Sequence, residues 1–124
     1  MARSVVHFEI IGTDPGTLRG YYGDLFGWEF ATGGPVAESV SEKGNYGFTE
    51  GDTIPGGVGG GAGYDPHVVF YVGVPDVEAA LTKAEKLGGV RVMGPTRSPG
   101  TNLAIAHFTD REGIPIGLAS ATQA

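Results

Sequence analysis

Two stretches decide the fold: HFEIIGTDPG, residues 7–16, and HVVFYVGVPD, residues 67–76. Each opens with a histidine, runs through apolar residues and stops at an Asp/Pro pair. From Val5 to Ile11 the chain alternates without a breaker and is rich in β-branched and aromatic residues, which predicts a strand. Its two faces are Val5, His7, Glu9 and Ile11 on one side and Val6, Phe8 and Ile10 on the other. Asp14 then suits an N-cap and Pro15 the first helical position, and Leu18, Tyr21, Tyr22, Leu25 and Phe26 follow at helical spacing. Gly27 ends that helix, and its Tyr21, Tyr22 and Phe26 stripe is expected to pack on the sheet. WEF, residues 28–30, should begin a second strand. From Ala31 to Gly56 the signal is weak: NYGF reads as a short strand, TGGPV and TEGDTIPGG as turns or loops.

The second stretch repeats the order. Val68 to Val72 reads as a strand with Val69 and Tyr71 on one face and Phe70 on the other. Asp76 begins a helix whose inward stripe is Val77, Ala80, Leu81, Ala84 and Leu87, closed by Gly88 and Gly89. VRVMG, NLAIAHF and IPIGLAS supply three strands, with TDREG turning between the last two. Each half is thus a strand, a helix and about three strands, and repetition at this scale predicts a duplicated α+β unit. The modules span about residues 4–62 and 66–121 of one domain. Aligned on the helix caps, Asp14 matches Asp76, Leu25 matches Leu87 and Trp28 matches Val90, each sixty-two positions apart, whereas the histidines are sixty apart. In register His7 corresponds to Val69. His67 lies two residues earlier, one strand period away, and so points to the same face as Val69.

A chain of 124 residues, 40% hydrophobic and 18% charged, is long enough for one globular core. The formal charge of −6, with eight Lys and Arg dispersed along the chain, leaves no basic patch for nucleic acid or an anionic membrane surface. The lack of cysteine removes a disulfide framework, a thiolate nucleophile and any thiolate metal site, and it fits a cytoplasmic setting. MARSVVHFEI has no signal-type apolar region, and no apolar run approaches the roughly 18 residues of a membrane span. Neither export nor a membrane partner is expected.

HFEIIGTDP followed by YYGDLFGWEF, with PDVEAALTKAEKLGG and the late FTDREGIPIGL, resembles the vicinal oxygen chelate superfamily. That family includes glyoxalase I, bleomycin-resistance proteins and extradiol dioxygenases, and the resemblance is strongest to its glyoxalase-like members of unassigned activity. It covers nearly the whole chain. It implies two tandem βαβββ modules whose curved mixed sheets enclose a cavity, commonly closed by a homodimer. In the family's metal enzymes the ligands come from the first and last strands of each module. Carried over, those positions are His7 and Val69 on the first strands and Gly59 and Gly117 on the last, so one ligand of four survives. Glycine and valine offer a metal no donor, whereas a divalent ion wants three or four. The resemblance therefore implies no metal and no cofactor.

One alternative metal set is His7, Glu9 and His67, two imidazoles and a carboxylate that share a face by strand parity. His7 and Glu9 sit two apart on one strand, roughly 6 to 7 Å between Cα atoms, a spacing that can chelate. His7 otherwise reads as a cavity-lining polar group or a general base, its ordinary pKa near 6.5 suiting neutral pH. Glu9 on an inward face is costly unless paired, and Arg91 or Arg97 are candidate partners. Tyr71 shares the parity of Val69 and should line the same cavity, while Trp28 reads as core. His107 has an uncertain face, because one residue of slip at the TDREG turn reverses it. The glycine run GGVGGGAG, residues 56–63, lacks the Lys-Ser/Thr of a phosphate loop and reads as a bare strand leaving room for a ligand. Ser98, His107 and Asp110 form a triad only on paper, without a nucleophile-elbow motif.

The expected ligand-contacting set is thus His7, Glu9, His67, Val69, Tyr71, Gly59 and Gly117. The expected function is metal-free binding of a small organic molecule, as in sequestration or resistance. The alternative is a metal-dependent lyase, isomerase or dioxygenase using His7 and Glu9.

Overall fold

The computed structural model describes residues 2–50, 54–99 and 101–121, so the centre of the loop expected at TEGDTIPGG lies outside the described residues. Its elements are β1 (Val5–Gly12), α1 (Pro15–Phe26), β2 (Gly47–Thr49), β3 (Gly56–Gly60), β4 (His67–Gly73), α2 (Val77–Lys86), β5 (Val90–Arg97), β6 (Leu103–Thr109) and β7 (Pro115–Ala121). The fold is α+β with mixed sheets, and the contacts divide it into two compact units. One runs from His7 to Val68; the other begins at Val69 and takes in the segment before His7.

In the first unit the strand order is β2-β3-β1. Helix α1 carries the crossover that makes β1 and β3 parallel, with Phe8 opposite Gly56, Glu9 opposite Gly57 and Ile11 opposite Gly59. β2 pairs antiparallel with β3, Gly47 opposite Val58 and Phe48 opposite Gly57. Asp14 caps α1 by accepting from the Thr17 backbone N–H and hydroxyl, and those two bonds hold its carboxyl below the usual carboxylate range. Gly27 closes the helix at φ 74°, a left-handed conformation that L side chains resist.

Two expectations for this unit need correction. WEF forms no strand: the chain there contributes only a bridge between Ala31 and Phe48. Trp28, half-buried, instead turns its ring to Phe8, Tyr22 and Phe26, at centroid distances of 5.2, 5.9 and 5.0 Å. Nor does α1 bury its whole aromatic stripe, because Tyr21, Leu25 and Phe26 are each more than half exposed. Leu18 abuts Gly12, and Tyr22 meets Trp28, so the helix touches the sheet through a narrower line than its composition suggests.

The second unit keeps the expected order in full, with strands arranged β4-β7-β6-β5. β4 and β7 are parallel, Tyr71 opposite Gly117; β6 and β7 are antiparallel, His107 also opposite Gly117. Asp76 caps α2 through the Ala79 N–H, repeating the role of Asp14. Val77 and Leu81 of α2 meet Ala106 and Leu118 in the core, with Val72, Ala80 and Phe108 packed around them. Leu87 departs from the expected stripe: the helix ends at Lys86, and Leu87, in the cap, is 65% exposed. Among the described residues no helix is long and apolar enough to cross a membrane.

Candidate functional site

The pleat of β1 sends His7, Glu9 and Ile11 to one side, as their alternation requires. Glu9 and Ile11 are buried, at 3% and 2% exposure, and His7 is half-buried. Within its own unit the Glu9 carboxylate meets a tyrosine. The Tyr46 hydroxyl, itself 2% exposed, donates to Glu9 Oε1 at 3.0 Å and lies 2.8 Å from His7 Nε2. Arg91 is engaged elsewhere, forked onto Glu78 at 2.9 and 2.6 Å and reaching Glu85 at 3.1 Å. Those bonds push its guanidinium pKa further up and hold the Glu78 carboxyl below its ordinary value. Burial lowers the His7 pKa, favouring the neutral ring.

Tyr46 is placed by its neighbours in the chain. Asn45 is fixed by Arg19 Nη1, which donates to its carbonyl at 2.7 Å, and by its own amide, which donates to Glu42 at 2.7 Å. The ring then lies over the bare backbone of β3. A Cβ at Gly57 would fall on the Tyr46 ring, and one at Gly59 would come within 2.6 Å of the ring and 2.8 Å of Ser41 Oγ. Ser41, fully buried, accepts from the Gly60 N–H at 2.8 Å. The glycine strand does make room, but the chain's own Tyr46 and Ser41 take it. Phe48 completes the cluster, its ring 4.8 Å from Tyr46 and 6.3 Å from His7.

The remaining expected residues fall elsewhere. In the second unit Val69 and Tyr71 are buried at 2% and 3%, on the face opposite the exposed Val68 and Phe70. The Tyr71 hydroxyl meets His107 Nε2 at 2.7 Å, and its ring covers Gly117. That places His107 on the same side as Tyr71. His67 is held by its Nδ1, 2.7 Å from the Asp65 carbonyl, and lines a cavity of about 510 Å³ with Ile10, Leu18, Tyr22 and Val68. The ladders also refine one equivalence. Glu9 faces Gly57 as Tyr71 faces Gly117, so by pairing the counterpart of Gly117 is Gly57, one strand period before Gly59. Asp110 of the paper triad is occupied by the turn, accepting from the Glu112 and Ile114 N–H groups.

A metal does not fit these donors. Val69, Gly57, Gly59 and Gly117 offer no side-chain ligand, and the His7 and Glu9 side chains converge on a phenol. Among the described residues no group of three or more His, Cys, Asp or Glu side chains is placed to hold an ion, the His7, Glu9 and His67 set included. Sequence reasoning missed Tyr46. The glycine run was the available signal, since a strand stripped of side chains on a buried face has to be filled by something.

Comparison with known proteins agrees with the topology. No curated protein sequence matches the chain. Among solved structures, a protein from Bacillus halodurans C-125 superposes with a TM-score of 0.71 at 12% identity, covering 100% of this chain and 98% of that one. Methylmalonyl-CoA epimerase in complex with methylmalonyl-CoA and NH4+ gives a TM-score of 0.70 at 15% identity, over 98% and 96% of the two chains. The methylmalonyl-CoA epimerase of Mycobacterium tuberculosis gives 0.69 at 15%, over 96% and 88%. At such identities the likeness is one of fold. A family model described as Glyoxalase/Bleomycin resistance protein/Dioxygenase superfamily matches residues 4–118, and with the duplicated strand-helix-strand units it carries the conclusion that this chain belongs to that superfamily.

Proposed function

We propose that the protein is a metal-free binder of a small organic molecule, with His7 as a polar contact for that ligand. One observation carries the reading. Of the first- and last-strand positions at which the superfamily's metal enzymes carry ligands, only His7 has a donor, and its Nε2 is within hydrogen-bond distance of Tyr46. A site for a divalent ion needs several converging donors. A ligand site needs mostly apolar walls with a few placed polar groups. The test is thermal unfolding of protein purified without chelator or affinity metal. Adding nickel, zinc or manganese should leave Tm unchanged, whereas a fitting organic molecule, drawn from a screen, should raise it in a saturable way; about 2.7 kcal/mol of stabilisation corresponds to a concentration 100 times Kd. A saturable rise with a divalent metal would sink the reading.

A second reading, an isomerase, lyase or dioxygenase using His7 and Glu9, is favoured by the hydrogen-bonded chain from His7 through Tyr46 to Glu9. Its lowered pKa keeps His7 neutral at neutral pH, the state a general base requires. Loss of a detected turnover in His7→Ala would favour this second reading.

A further inference from the structure

We propose that two copies of this chain pair through α1 about a two-fold axis, Tyr21 and Leu25 of each helix entering the cavity beside the first turns of the other. A helix lying on a sheet in water keeps its outer face polar. The duplicated half of the chain does so: the exposed positions of α2 are Glu78, Ala79, Thr82, Lys83, Glu85 and Lys86. In α1 the exposed positions carry a single charge, Asp24, and three large apolar side chains, Tyr21, Leu25 and Phe26, at 60, 56 and 56% exposure. The other charged residue of the helix, Arg19, is turned to the Asn45 carbonyl. Large apolar groups gathered in the open on one element mark a contact surface.

The order of these groups along the helix says what covers them. Thr17, Leu18, Tyr21, Tyr22 and Leu25 recur at three- and four-residue spacing and so share one side of α1. The cavity of about 510 Å³ opens on that side, walled by Thr17, Leu18 and Tyr22 from the first two turns and by Ile10 and Val68 from the strands. Tyr21 and Leu25 stand out from the later turns, the Tyr21 ring set edge-on against Tyr22 at 5.2 Å. Hollow and projections thus occupy opposite ends of one side of one helix. Two such helices crossing antiparallel about a two-fold axis bring each projection over the other's hollow, and the same residues make the contact twice. Close approach is open to them, since a Cβ at Gly20 would meet nothing within 4 Å. Charge points to the same occupant. With a formal charge of −6, two copies repel unless they meet through an uncharged surface. The five helix positions on this side are uncharged, and the capping Asp14 carboxylate is already taken up by Thr17. A strongly charged partner would find no counter-charge on these positions, whereas a second copy needs none.

The test is sedimentation velocity of the full chain as wild type, Tyr21→Lys, Leu25→Lys and the double variant. Ile114→Lys, at a half-exposed apolar position in the other unit, is the control. Lysine is a good helix former and suits the C-terminal end of a helix, so α1 should keep its fold. The wild type should sediment at twice the mass of one chain. Each lysine should raise the dissociation constant by about 100-fold or more, as loss of a central apolar anchor does, and the double variant should be a monomer. Ile114→Lys should stay paired. A monomeric wild type, which would leave this face to a different partner, would overturn the proposal; so would a dimer that persists in the double variant, or an equal loss of pairing in Ile114→Lys. If the lysine variants do not fold, dilution of the wild type decides by NMR: the Tyr21 and Leu25 side-chain signals should shift as the dimer dissociates, and unchanged signals would overturn it. Neither measurement involves His7 or an organic ligand, so its failure is separate from failure of the binding reading.

Discussion

At the scale of the residue, His7 shows how a side chain's chemistry depends on what its neighbours leave it. Its position on β1 and the face it shares with Glu9 were readable from alternation alone. Its partner was not, because Tyr46 lies 39 residues away, at the end of a stretch with no periodic signal. Burial lowers the His7 pKa in the folded protein, and the sign of the consequence is fixed by linkage. The unfolded chain, with its histidine near the ordinary value of about 6.5, takes up the proton at a higher pH than the folded one does. Over the window between that value and the depressed folded value, the unfolded state binds more protons. Stability should therefore rise with pH across this window and fall as the solution is acidified through it. Chemical denaturation of wild type and His7→Gln at a series of pH values between 5 and 8 should show a shallower slope below about pH 6.5 in the variant. Equal slopes would mean that His7 is not the group responsible.

At the scale of the element, the two helix starts were legible because capping is local: Asp14 and Asp76 each sit three residues before the backbone N–H they accept from. β3 was legible as a strand but not as a surface. Its glycines suggested open space, and the space is filled from the loop before β2, a long-range contact that no local pattern encodes. WEF forms no strand, and the Trp28 ring there meets aromatic partners from β1 and α1 that its local pattern did not encode. The fit of Tyr46 on β3 predicts a specific non-additivity. Gly57→Ala places a Cβ on the Tyr46 ring and should destabilise by roughly 1 to 3 kcal/mol through overpacking. Tyr46→Ala should cost on the order of 3 to 5 kcal/mol, as other large-to-small aromatic truncations do. The double variant should be more stable than the sum of the two losses by about 1 kcal/mol or more, because the methyl enters space the ring has left. Strict additivity by urea denaturation would show that the two residues do not share that space.

At the scale of the whole molecule, duplication made the fold readable before any single site was. Two strand-cap-helix units sixty-two residues apart predicted the paired crossovers, and parallel ladders β1/β3 and β4/β7 are their direct expression. The two halves share one local arrangement: a phenol covers last-strand glycines in each, Tyr46 over Gly57 and Gly59, Tyr71 over Gly117, and each phenol meets a histidine, His7 or His107. Of the positions the resemblance assigns to metal ligands, His7 alone carries a donor side chain, and the proposed reading is that the protein works without a metal. The most direct test of that claim is elemental analysis of protein purified without chelator, affinity metal or added salts of transition metals. The account predicts nickel, zinc, iron and manganese each far below stoichiometry; more than about half an equivalent of any one of them per chain, retained through dialysis, would contradict it.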